Sequence, residues 1–151
     1  MCEKPFLIIN FGCLECKHII SNAKFSYYIK WQRLHWLSLQ TCYRSSAYFE
    51  YYEDSLAPFY EKKYEFLFDY NIELLGWFFK QIKLTPEIGF TEEYNKLTEA
   101  GDFRNKFNKN EVHNVDAKVY FQVFSDRNAF IPNLSCIDLL FNQGPQTKLY
   151  F

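Results

Sequence analysis

Aromatic residues constrain this chain more than any other feature: 17 Phe, 12 Tyr and 3 Trp make up 21% of its 151 residues. Each such side chain buries roughly 150–250 Å² when it packs, so a few of them fill a small interior. The length fits one domain with one core, spanning residues 1–151. Such a core does not need all these rings. The surplus is expected near the surface, where Tyr and Trp keep a polar tip wet while the ring packs. That points to a groove or an interface.

Charge excludes one class of partner. Seventeen basic against eighteen acidic residues leave a formal net charge of −1, and the two signs interleave, as in Glu61-Lys62-Lys63-Tyr64-Glu65. A nucleic-acid binder needs a basic patch or stripe, and none is visible, so no nucleic acid is expected. The five cysteines (Cys2, Cys13, Cys16, Cys42 and Cys136) are odd in number and scattered. They read as reduced thiols of a cytoplasmic protein rather than a secreted disulfide framework. No apolar run approaches the ~20 residues of a membrane span. Residues 5–13 have the length of an export-signal core, but Glu3 offsets Lys4 and Asn10 interrupts the run. A buried strand is the preferred reading.

Along the chain, residues 6–11 and 23–29 read as short strands, the second alternating as a half-buried strand does. From Lys30 the pattern turns helical, apolar over most of its circumference and expected to be well buried. Ser55 reads as the N-cap of a second helix with Pro58 in its first turn. That helix extends, with or without a break, to about Leu84, and Pro86 ends it. Ile88-Gly89-Phe90 reads as a brief strand, and Thr91 as the cap of a short helix through Leu97. The polar stretch 100–117 reads as a loop. Lys118–Phe124 has strand propensity, and Ser135 opens a helix over Cys136–Asn142 that Gly144-Pro145 closes. The fold class is α/β or α+β: a small sheet packed by several aromatic-rich helices.

Several polar residues stand out. Cys13, Cys16 and His18 are too few for a structural zinc site, and no second Cys pair accompanies them, so no metal is expected. His35, between two tryptophans, reads either as a general base or as a satisfied core residue. Arg33 and Arg44 suit a grip on phosphate or carboxylate, or ion pairs with Glu50, Glu53 or Asp54. Asp69 and Asn71 interrupt an apolar helical stripe, and Asp138 does the same within Ile137-Asp138-Leu139-Leu140. Burying such groups costs free energy unless they are paired. No phosphate-cradling glycine loop and no nucleophile elbow occurs.

Three stretches carry a resemblance. The first is Trp31-Gln32-Arg33-Leu34-His35-Trp36, with Tyr48-Phe49-Glu50-Tyr51-Tyr52-Glu53-Asp54 and Pro58-Phe59-Tyr60. The second is Leu67-Phe68-Asp69-Tyr70-Asn71 with Glu73-Leu74-Leu75. The third is Tyr120-Phe121-Gln122-Val123-Phe124, then Phe130-Ile131-Pro132-Asn133-Leu134-Ser135 and Asp138 through Pro145. Over residues 31–145 the chain resembles the WbqC-like family of bacteria. The resemblance implies a cytoplasmic protein of O-antigen or other surface-polysaccharide biosynthesis, a transferase acting on an activated sugar or its modifying group. It marks His35, Asp69 and Asp138 as catalytic candidates. Arg33, Arg44, Asn71, Gln122, Asn133 and Ser135 become candidates for holding a nucleotide-sugar or sugar phosphate. It does not define a cofactor. The family begins with a longer N-terminal region, so this chain is expected to be N-terminally shortened. A missing strand would expose a sheet edge and favour homo-oligomers. The alternative function is a non-catalytic binding or assembly module, or an inactive short relative. A catalyst should gather Arg33, His35, Asp69 and Asp138 around one cavity; a module should scatter them and expose an aromatic patch.

Overall fold

The computed structural model describes residues 6–9, 22–90, 118–132 and 134–150. The described residues are mostly helical. Five α-helices appear among them: α1 (Trp31–Tyr43), α2 (Phe49–Leu56), α3 (Pro58–Glu61), α4 (Leu67–Gln81) and α5 (Cys136–Gln143). A 3-10 helix, Gly144–Tyr150, follows α5 directly. Two short strands, β1 (Phe6–Ile9) and β2 (Glu87–Phe90), pair in parallel with Phe6 opposite Glu87 and Ile9 opposite Phe90. The expectations at 91–117 and at Asn133 lie outside the described residues.

Apolar spacing explains which helical faces turn inward. On α2, Phe49, Tyr52 and Leu56 are buried, three and four residues apart and thus on one stripe. On α4 the stripe is Tyr70, Trp77 and Phe78, with Ile82 just beyond the helix end. The core joins α2, α4 and α5 through Phe49, Tyr52, Leu56, Trp77, Phe78, Ile82, Leu140 and Phe141. Its rings meet edge to face, as Phe49 does with Phe141 at 5.1 Å and 83°, the arrangement their quadrupoles favour.

The helix α1 corrects one expectation. None of its residues is buried; Trp36, Leu39 and Tyr43 pack on the core while Leu34 and Leu37 stay exposed. A single stripe, not the whole circumference, faces inward. Ser55 is corrected too: it lies in the last turn of α2, donating to the Tyr52 carbonyl at 3.0 Å and accepting the Trp77 indole N–H at 3.1 Å. The apolar stripe beginning at Phe49 extends the helix upstream of that serine. Pro58 does sit in the first turn of α3, where its missing N–H costs nothing.

Neither of the two other strand expectations yields a regular strand. Residues 23–27 pair at one position only, Lys24 with Phe66, flanked by Phe25 N–H to Glu65 C=O at 3.1 Å and Leu67 N–H to Ala23 C=O at 2.8 Å. Residues 118–122 keep the expected alternation, Val119 and Phe121 outward and Tyr120 and Gln122 inward, but no partner strand joins them among the described residues. The Gln122 amide bonds both backbone groups of Ile131, at 2.8 and 3.1 Å, and turns at 123–128 reverse the chain. A side chain has taken the place of a ladder.

The end of α5 matches its sequence signals. The Ser135 hydroxyl accepts from the Ile137 N–H at 3.4 Å, and Gly144 turns the chain at φ 55°. A Cβ on Gly144 would lie 2.5 Å from Cδ1 of Tyr48, so both the backbone angle and the space require glycine.

Candidate functional site

A cleft of about 360 Å³ opens where the connection between α3 and α4 meets the first turns of α4. Backbone geometry shapes it: Lys62 and Phe66 are extended, so residues 62–66 cross the start of α4 as a strap. Side chains on both flanks hold that strap. Gln32 of α1 donates to the Lys62 carbonyl at 2.6 Å. The Tyr27 hydroxyl donates to the Tyr64 carbonyl at 2.9 Å and accepts the Tyr64 N–H at 2.7 Å. One phenol thus satisfies both backbone groups of a residue that lacks a ladder partner.

Phe68 lines the cleft with Lys62, Lys63, Tyr64, Asp69 and Glu73, and these five polar residues divide into two sets. Lys62, Tyr64 and Glu73 are mutually committed. Lys62 Nζ lies 3.1 and 3.0 Å from the two Glu73 oxygens, and the Tyr64 hydroxyl donates to Glu73 Oε2 at 2.7 Å. Those bonds hold the Glu73 carboxyl below its ordinary pKa, the Tyr64 bond contributing most. The ammonium of Lys62 is shifted upward by Glu73, while Tyr64 is raised first by burial and then by Glu73. Lys63 and Asp69 form the second set. Lys63 reaches only over the Tyr27 ring, 5.8 Å from its centroid, and Asp69 has no hydrogen bond or ion pair among the described residues. Glu65, also at the rim, is paired with Lys24 at 2.7 Å.

A second polar centre is buried. Asp138 on α5 is 5% exposed and accepts the Tyr120 hydroxyl at 2.7 Å. Burial and then that bond push the Tyr120 phenol up to about 12. Tyr43, at the end of α1, faces the same carboxylate; burial first, then the charge of Asp138, holds it above the ordinary tyrosine range. One turn on, Asn142 donates to the Asp138 carbonyl at 2.8 Å, and its Oδ1 has no partner among the described residues. This interior is rich in acceptors, and the two phenols supply the donors.

The residues singled out in the sequence fall in different places. Asp69 lies on the cleft, and Asp138 lies in the buried centre. Asp69 and Asn71 are exposed rather than buried, because they face away from the inward stripe of α4. His35 is exposed on α1, its ring against Trp31 at 6.1 Å and Tyr60 at 6.3 Å. Arg33 and Arg44 are exposed and make no ion pair among the described residues; Glu53 accepts instead from Gln40 at 2.8 Å. Gln122 and Ser135 are engaged with backbone at Ile131 and Ile137. No described cavity gathers Arg33, His35, Asp69 and Asp138 together. Lys62, Lys63, Tyr64 and Glu73 carry no signal as site residues in the sequence, where Glu61–Glu65 reads only as a run of mixed charge. The Cys13-Cys16-His18 group lies outside the described residues. Among those described, no group of three or more His, Cys, Asp or Glu is placed to hold a metal ion, and no helix is long and apolar enough to cross a membrane.

Both polar centres lie within a region shared with known sequences. The sequence model of the WbqC-like protein family matches residues 14–122 and 95–150. The chain therefore belongs to the WbqC-like family. The match begins upstream of Trp31, so residues 14–30 carry the family pattern as well. No curated protein and no solved structure is significantly similar to the chain.

Proposed function

We propose that this chain is a cytoplasmic transferase of bacterial surface-polysaccharide (O-antigen) biosynthesis, acting on an activated sugar or its modifying group bound in the cleft beside α4. The observation that carries this reading is the pair of uncommitted charges there, Lys63 and Asp69, beside the Tyr64 and Phe68 rings. Small-molecule sites span about 300–1,000 Å³, and this cleft falls at the lower end, suited to one sugar-sized unit. Lys63 would hold an anionic group. Asp69 would accept a proton from a substrate hydroxyl or amine. The Lys62–Glu73–Tyr64 cluster would keep the strap still while it does so.

The test is a thermal-shift screen with nucleotide-sugars, sugar phosphates and acyl or aminoacyl donors. It is run on the native chain and on Lys63→Gln and Asp69→Asn, exposed substitutions that leave the core intact. A ligand present at 100 times its Kd stabilises by about 2.7 kcal/mol. A rise in Tm with one donor class, reduced in both variants, is the expected result.

A second reading has its own support. Val119, Phe121, Phe124 and Ile131 are exposed on one stretch, and of the four residues a catalyst was expected to gather only Asp69 lines the cleft beside α4. Both features suit a binding or assembly module of the same pathway. Cooperative melting with no response to any donor would favour that module, or an inactive relative, over the transferase.

A further inference from the structure

We infer that the outward face of α1 docks the protein, reversibly and with the helix in the plane of the surface, onto a membrane rich in anionic lipid. The inference goes beyond the reading of the cleft beside α4 and does not depend on what that cleft binds.

Charge is unevenly placed along the chain. Residues 16–49 carry Lys17, Lys24, Lys30, Arg33 and Arg44 and no Asp or Glu, while the rest holds twelve basic against eighteen acidic residues. A net charge of −1 thus conceals one cationic segment on an otherwise anionic molecule. The helix α1 lies at the centre of that segment and on the outside of the fold, since none of its residues is buried. Trp36, Leu39 and Tyr43 pack on the core. At about 100° per residue, Arg33, Leu34, Leu37, Ser38, Thr41 and Arg44 share the opposite side within an arc of about 140°. All six are exposed. Leu34 and Leu37 are each 56% exposed, and Tyr28 and Ile29 continue the apolar surface past the N-cap Lys30. The acid that reaches α1, Glu53, bonds the half-buried Gln40 and not a cation of this face.

The two hydroxyls on the face are already answered by the helix itself. Ser38 donates to the Leu34 carbonyl at 2.8 Å, and Thr41 donates to the Leu37 carbonyl at 2.7 Å. Taking a polar group out of water costs most when its hydrogen bonds are left unmade. Here those donors keep their bonds when the face leaves water. Apolar side chains, self-satisfied hydroxyls and flanking cations are what an interfacial helix needs to sit among headgroups.

Size and charge favour lipid over other occupants. A 13-residue helix offers a stripe about 20 Å long and about 10 Å across, on the order of 200 Å². A protein partner, a second copy included, buries roughly 800 Å² on each side of a standard interface and would have to recruit further surface. Nucleic acid would engage the cations and leave the leucines in water. An anionic bilayer answers both, with lipid phosphates for Lys30, Arg33 and Arg44 and the acyl boundary for Leu34, Leu37 and Ile29.

The experiment is flotation of the full chain with phosphatidylcholine vesicles, pure or containing roughly one third phosphatidylglycerol. The expected result is binding to the anionic vesicles that falls as salt is raised from about 0.1 to about 0.5 M, with little binding to the neutral ones. Each cation near such a surface contributes about fivefold, so Arg33→Gln with Arg44→Gln should weaken binding about tenfold or more. Leu34→Gln with Leu37→Gln should weaken it to a similar degree through lost apolar burial. All four changes are exposed and keep good helix formers; an unchanged Tm shows that the fold is retained. The control pair Lys80→Gln with Lys83→Gln removes the same charge from the end of α4 and should leave binding as it was. Equal loss in the control pair would reduce the effect to net charge and overturn the inference, as would absence of binding to either vesicle. Self-association that the leucine pair abolishes, without vesicle binding, would assign the face to a second copy and overturn it as well.

Discussion

Tyr120 is one of two phenols that supply a donor to the buried carboxylate of Asp138. Its hydroxyl donates at 2.7 Å to Asp138, which is 5% exposed. A buried carboxylate that loses a donor bears the desolvation cost of the vacant lone pair, about 1–3 kcal/mol. Tyr120→Phe is therefore expected to lower unfolding free energy by about that amount in a urea titration. The pH dependence has a definite sign. The folded pKa of this phenol, about 12, lies above its ordinary value of 10.0. The folded state thus favours the protonated form, so the contribution is intact below 10 and is lost as pH rises towards 12. The stability gap between the native chain and Tyr120→Phe should narrow across that interval; a gap that stays constant would contradict the assignment. Gly144 is constrained differently, by φ of 55° and by the Tyr48 ring. Gly144→Ala should destabilise by more than about 1 kcal/mol, seen as a lower Tm. Asp138 stands out in the sequence as a polar interruption of the run Ile137-Asp138-Leu139-Leu140, as Asp69 does in its own stripe, yet only Asp138 is buried. Its donors do not stand out, since Tyr43 and Tyr120 come from far along the chain and only packing brings them in.

At the scale of elements, legibility followed how local the determining interactions are. The helix α5 could be read because its start and stop, Ser135 and Gly144, sit within its own ends. The segment 118–124 has strand-like alternation, and the alternation is real, but a strand also needs a neighbour and Gln122 supplies a side-chain substitute. The cleft was the hardest to foresee. Lys62 and Glu73 are separated by a helix start, and the charge run 61–65 looks like ordinary solvated surface until the strap folds across α4. The strap in turn depends on Tyr27, whose one hydroxyl makes both backbone bonds to Tyr64. Tyr27→Phe removes both and keeps the ring. It should cost about 1–3 kcal/mol and, in amide NMR, move the resonances of 62–66 while those of α2 and α5 stay in place. Uniform changes across all helices would indicate that Tyr27 supports the core rather than the strap.

Across the whole molecule, the interior is built where α2, α4 and α5 converge, and α1 lies against it by one stripe. The family match covers all of these elements, from residue 14 to residue 150. The parallel strand pair stands apart from this arrangement in one respect. Parallel strands cannot be joined by a tight turn, and here β1 and β2 are separated in sequence by α1, α2, α3 and α4. Its two ends meet only after the intervening chain has been drawn in, and closing so long a loop carries an entropic cost that four paired residues repay poorly. The pair should consequently be the last element acquired during refolding and the first released during native-state fluctuation. In hydrogen–deuterium exchange, amides of Glu87–Phe90 would lose protection through a low-energy partial opening, while those lining the Phe49–Phe141 contact exchange only with global unfolding. A bond network that forms late and opens early makes this corner of the protein its natural hinge in time, if not in space.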